Sequence, residues 1–112
     1  AMDLLRDPER PSDVVCGNDI IARGVIFAAQ ALGLNLPTDL SVVGIGDFTG
    51  SAEMEPGLTS VRMPARRIGN LGAQTVIDAI ENGTPQDISR TKIELDLIKR
   101  RSTTRFQVAH LR

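Results

Sequence analysis

Two polar residues stand where an open parallel sheet does its chemistry. Asn18 follows the short apolar run Asp13-Val14-Val15-Cys16-Gly17, and Asp47 follows Leu40 to Gly46, Leu-Ser-Val-Val-Gly-Ile-Gly. Bounded runs of this kind read as buried strands, and ligands of open α/β sheets bind in the crevice outside the carboxyl ends of the strands. An amide and a carboxylate brought to one such edge, with Gly17 and Gly46 leaving room beside them, suit a small molecule that carries hydroxyl groups. A structural reading competes with this one. Asparagine is a good helix cap and aspartate a good turn opener, and spacing alone leaves both readings open.

Other chemistries fare worse. The sole histidine, His110, lies near the chain end, and the sole cysteine, Cys16, has no second thiol for a disulfide or a metal cluster. No catalytic residue, metal site or cofactor is therefore expected. Gly44, Gly46 and Gly50 lack the spacing of a dinucleotide loop, and no acidic residue follows about 20 positions on to hold a ribose. Arg66 and Arg67 fall in the first turn of a helix, where the macrodipole disfavours cations, so an interface or solvent suits them. Lys99-Arg100-Arg101 reads as a solvated strand end that discourages edge pairing. With 13 Lys and Arg against 14 Asp and Glu, the chain has no cationic excess for duplex DNA. No apolar run approaches the roughly 20 residues of a membrane helix, and no secretory leader opens the chain, so a soluble cytoplasmic protein is expected. Three Phe and no Trp or Tyr mean that rings for stacking a ligand would have to come from elsewhere.

The elements that must position Asn18 and Asp47 follow from periodicity. A helix opens at Asn18, repeats Ile20, Ile21, Val25, Phe27, Ala28, Ala31 and Leu32 near the helical period, and closes at Gly33. That places a crossover helix between two parallel strands. A loop from Asp47 to Gly57 leads to a short strand at Leu58 to Arg62. Pro64 then starts a helix whose apolar stripe is Ile68, Leu71, Gly72, Thr75, Val76, Ala79 and Ile80, ending at Gly83 before a turn at Thr84 and Pro85. Ile93, Leu95 and Leu97 alternate with charged residues, as in a strand with one wet face. Residues 1 to 6 read as the last turns of a helix, and the polar end from Ser102 onward reads as loose. The fold class expected is α/β, a parallel sheet flanked by helices. Its organisation would be a βαβ unit with a short strand over 1–62, a crossover helix over 63–90, a final strand over 91–104 and a tail over 105–112.

The ordered segments Pro11 to Gly24 (PSDVVCGNDIIARG), Leu32 to Gly44 (LGLNLPTDLSVVG), Pro56 to Pro64 (PGLTSVRMP), Ile68-Gly69 and Arg100 to Thr103 (RRST) together resemble the effector-binding domain of the LacI-type bacterial transcription regulators. That domain shares the fold of periplasmic sugar-binding proteins. The resemblance runs through residues 1 to 104 and implies the C-terminal part of the domain. By resemblance, Asn18 contacts effector hydroxyls, and Val61, Arg62, Met63 and Pro64 form the crossover between subdomains. Asp47 is the second candidate for effector contact; in strict register Gly46 stands where many members have the effector-contacting aspartate and Asp47 takes the place of the second acid, a departure from the family pattern that leaves open whether the contact moves to Asp47. The Gly-Ile-Gly-Asp-Phe stretch is similar to a subgroup that includes gluconate-operon repressors.

The resemblance thus implies a transcriptional repressor, not an enzyme, that takes a sugar or sugar acid as effector and forms a homodimer. It would meet operator DNA only through a headpiece outside this chain. An exported sugar-binding protein of a transporter is the nearest alternative, and a small nucleotide-dependent α/β enzyme the more distant one.

Overall fold

A computed structural model describes residues 1–83 and 90–106. Its elements run α1 (Met2–Arg6), β1 (Asp13–Val15), α2 (Asp19–Ala31), β2 (Ser41–Gly46), β3 (Thr59–Arg62), α3 (Ala65–Asn82) and β4 (Asp96–Ile98). The turn expected at Thr84 and Pro85, and His110, lie outside the described residues. The chain divides into a unit of Ala1–Arg62 with the chain from Asp96 on, and a unit of Met63–Leu95.

In the first unit the strands form one sheet in the order β1-β2-β3-β4. β1, β2 and β3 run parallel, with Val14 beside Val42 and Gly46 beside Arg62, and β4 closes the edge antiparallel to β3. Strand β1 is shorter than the apolar run suggests, although the Cys16 N–H still donates to the Val43 carbonyl at 2.8 Å. Nor is β1 buried throughout: Val15 is 74% exposed. The reason is one-sided cover. Alternation sends neighbouring strand residues to opposite faces, and helix α2 covers the face of Val42, where Ile26, Leu40, Val42 and Leu58 form the dry interior with Ala22, Ala29 and, from α1, Leu5.

The face that α2 buries differs from the one its apolar spacing suggests. Ala22, Val25, Ile26, Ala28 and Ala29 go inside, while Ile20, Ile21 and Phe27 are more than half exposed. The three alanines let the helix axis approach the sheet, and Val25 and Ile26 fill the space between. Helix α2 ends as expected, with Gly33 left-handed at φ 75°.

The final strand is confined to Asp96–Ile98, and its half-buried residue is Ile98 rather than Leu97. Ser102, expected to be loose, is fully buried. Its hydroxyl donates to the Val42 carbonyl (2.6 Å) and accepts from the Thr59 N–H (2.8 Å), and its own carbonyl accepts from the Val42 N–H (2.9 Å). These bonds satisfy backbone groups that would otherwise lie unpaired between β2 and β3.

The second unit is dominated by α3, which opens at Pro64 and closes on Gly83, left-handed at φ 65°. It has no buried residue. Along its apolar stripe Ile68, Leu71, Val76 and Ile80 are all exposed.

Candidate functional site

The carboxyl ends of β1, β2 and β3 gather the polar residues singled out above. Asn18 caps α2: its Oδ1 accepts from the Ile21 N–H at 2.9 Å. The structural role proposed for it is thus real, and it spends one side-chain oxygen while leaving the amide N–H groups for other partners. The residue is half-buried, at the lip of the sheet.

Asp19, the next residue, carries the organisation of this edge. It is 1% exposed, yet its carboxylate is saturated with donors. Oδ1 accepts from the Ser60 hydroxyl (2.6 Å), and Oδ2 accepts from the Ser51 hydroxyl (2.5 Å) and the Phe48 N–H (2.9 Å). A buried carboxylate is tolerable only with such a set of partners. Gly44 makes the space, because a Cβ there would run into the Asp19 carboxylate and the Leu58 side chain. Sequence reading missed Asp19. The available signal was a glycine interrupting a β-branched strand, which marks a close approach.

Asp47 takes a left-handed backbone conformation, φ 51°, which aspartate tolerates better than most residues. Its N–H donates to the Ser60 hydroxyl at 3.0 Å, tying it to the Asp19 set. The carboxylate, 8% exposed, is engaged at both oxygens. Oδ2 accepts from Arg62 Nε (2.8 Å) and Nη2 (2.7 Å), and Oδ1 accepts from Arg100 Nη1 (2.7 Å). The Arg100 hydrogen bond above all, with Arg62 adding to it, holds the Asp47 carboxyl below the usual carboxylate range, against the upward push of burial.

Arg100 departs from expectation. Instead of a solvated strand end, its side chain is 16% exposed. Nη1 also donates to the Leu58 carbonyl (2.8 Å), and its N–H donates to the Thr59 hydroxyl (2.9 Å). Arg101 fits the solvated reading better, pairing with Glu55 at the surface. Gly46, beside Arg62, has φ 123°, and the Phe48 ring fills the space a Cβ would need. Phe48 is 42% exposed, so one ring does stand at this edge. Cys16 is buried, and burial pushes its thiol up.

Of the crossover residues, Val61 and Arg62 complete β3, while Met63 and Pro64 begin the second unit. A shallow groove of about 560 Å³ belongs wholly to that unit and is lined by Pro64, Ala65, Arg66, Arg67, Asn70 and Leu71. Among the described residues no cluster of three metal-ligating side chains occurs, and no helix is long and apolar enough to cross a membrane.

Residues 1–103 match the model of a periplasmic binding protein-like domain. The HTH-type transcriptional repressor PurR of Proteus mirabilis is 35% identical over 99 residues, which are 88% of this chain and 29% of that protein. The PurR of Photorhabdus laumondii is 34% identical over the same lengths. The chain thus spans under a third of the length of these relatives. Among solved structures, a transcriptional regulator CelR-cellobiose complex superposes with a TM-score of 0.81 and 31% identity over 91% of this chain and 31% of that one. A LacI family transcriptional regulator from Arthrobacter in complex with lactose gives 0.80 and 25% over 92% of this chain and 38% of that one. These relatives are regulators, which favours neither the exported binding protein nor the nucleotide-dependent enzyme.

Proposed function

Because this chain belongs to the periplasmic binding protein-like domain family, we propose that it is the C-terminal part of the effector-binding domain of a LacI-type transcriptional repressor and performs no covalent chemistry. The observation that carries this reading is the 35% identity to a repressor across 88% of the chain. The strand-end edge supplies a fitting wall for a small polar ligand. The amide of Asn18 meets effector hydroxyls, Asp47 acts by fixing Arg62, and Phe48 offers a ring face.

The mechanism is allosteric. A ligand gripped between two subdomains favours the arrangement in which both walls touch it, and it shifts the equilibrium by its differential affinity for the two states. Val61, Arg62, Met63 and Pro64, where the chain passes from one unit to the other, form the crossover on which that rearrangement turns. A homodimer with paired headpieces would carry the change to DNA half-sites. The relatives bear the name of HTH-type repressors, which supports work in the cytoplasm on operator DNA.

The test uses the protein that carries this chain and a promoter fragment from its own operon, with binding read by fluorescence anisotropy. Affinity should change on adding a sugar-like ligand, and Asn18→Ala should weaken that ligand about 5- to 100-fold, the range expected when a ligand's polar group loses its partner. DNA binding that is absent, or present and indifferent to every ligand tried, would refute the reading.

A further inference from the structure

We propose that Arg62 reads negative charge: the ligand of this edge carries a carboxylate or phosphate ester that seats on the outer side of the Arg62 guanidinium. The inference rests on the effector-cleft reading above and goes beyond it by naming the ligand's chemistry and the residue that selects it.

Charge counting comes first. One carboxylate, Asp47, faces two guanidiniums, so the three groups together carry a net positive charge. Arg100 is committed to the interior, since the Nη1 that meets Asp47 also donates to the Leu58 carbonyl. Arg62 is different. Its side chain is 54% exposed, and Asp47 engages only Nε and Nη2, which leaves Nη1 without a partner among the described residues. A planar fork gripped along one side and open on the other is suited to paired anionic oxygens, because carboxylate and phosphate match guanidinium geometry. Asp47 fixes the fork before the ligand arrives, which lowers the ordering cost of binding.

The surroundings favour an anion over a neutral polyol. Gly46, the register partner of Arg62 on β2, has no side chain to offer, and its φ of 123° together with the Phe48 ring keeps any acid out of that position. Asp19 is satisfied beneath the sheet. Among the described residues the carboxylate of Asp96 is placed to compete, since Asp96 lies opposite Arg62 across the β3–β4 pair and is solvent-exposed.

Calorimetric titration of the protein that carries this chain with D-glucose, D-gluconate and glucose 6-phosphate separates neutral, carboxylate and phosphate probes built on one six-carbon skeleton. At least one anion should bind tenfold or more tightly than glucose, and which anion leads identifies the group. Arg62→Gln should cost that anion at least tenfold more than it costs glucose, so that the anion-to-glucose preference is lost. Arg62→Lys should restore part of the loss, and Asp96→Asn should tighten the anion. Arg62→Gln leaves Asp47 paired with Arg100, and if that variant does not fold, the lysine and Asp96 variants decide. Glucose binding as tightly as both anions, neither anion binding, or an anion indifferent to these substitutions overturns the proposal. Operator binding by the same protein is measured alongside. If it persists while charge selectivity is absent, the anion assignment falls alone; if it is absent, the reading beneath falls as well.

Discussion

Helix α2 buries six of its 13 residues, one of them the carboxylate-bearing Asp19, whereas α3, with 18 residues and a regular apolar stripe of its own, buries none. Both helices carry the 3.6-residue period, and both close on a left-handed glycine, Gly33 or Gly83. Periodicity therefore records that a helix was built to be covered on one side; it does not record what does the covering. For α2 the cover is the sheet beside it, and Ala22, Ala28 and Ala29 go under that cover together with Val25 and Ile26. The pattern in α3 reports a demand for cover that its own unit does not meet.

The contrast can be broken at its strongest point, the charge under α2. Asp19→Ala would leave two buried serine hydroxyls and the Phe48 N–H without their acceptor, and a loss of about 4 kcal/mol in urea unfolding is expected. A loss below about 1 kcal/mol would mean that the polar set under α2 is dispensable. Next in size, Ile26→Ala should cost about 3 kcal/mol by opening a cavity against Leu40 and Val42.

A smaller effect should appear in acid. The folded Asp47 carboxyl lies below its unfolded value of about 3.9, so its contribution is fully present above that pH and is lost as pH falls through the folded value. Stability measured from pH 6 to pH 2 should drop more steeply for the native protein than for Asp47→Asn; parallel curves would mean that the arginine pair adds nothing. Smallest of all, Ile80→Ala on α3 should change stability by less than about 0.5 kcal/mol, because Ile80 is 74% exposed. A cost equal to that of Ile26→Ala would erase the distinction between the helices.

The order of elements was legible because strands and helices announce themselves over a few neighbouring residues. Gly33 and Gly83 end helices where spacing says they should, and the apolar runs before Asn18 and Asp47 do become parallel strands. What escaped was a set of polar residues whose partners are remote in sequence. Asp19 meets Ser51 and Ser60 across 32 and 41 positions, Arg100 meets Leu58 across 42, and Ser102 meets Val42 across 60. Local composition makes Arg100 look like a solvated cation and Ser102 like a loose end and gives Asp19 no distinction, since nothing nearby shows that a donor or acceptor awaits them inside. Asn18 shows the converse: its cap was readable because the bonded N–H is three residues away.

The grip of Ser102 on Val42 and Thr59 also sets a timetable for synthesis. Strand β2 leaves the ribosome 60 residues before the side chain that completes its bonding to β3, a wait of about 3 to 12 s at roughly 5–20 residues per second. Through that interval a nascent Val42 holds a carbonyl and an N–H open beside an apolar surface. The bonding between β2 and β3 thus closes only after Ser102 has been translated, late in the making of the first unit.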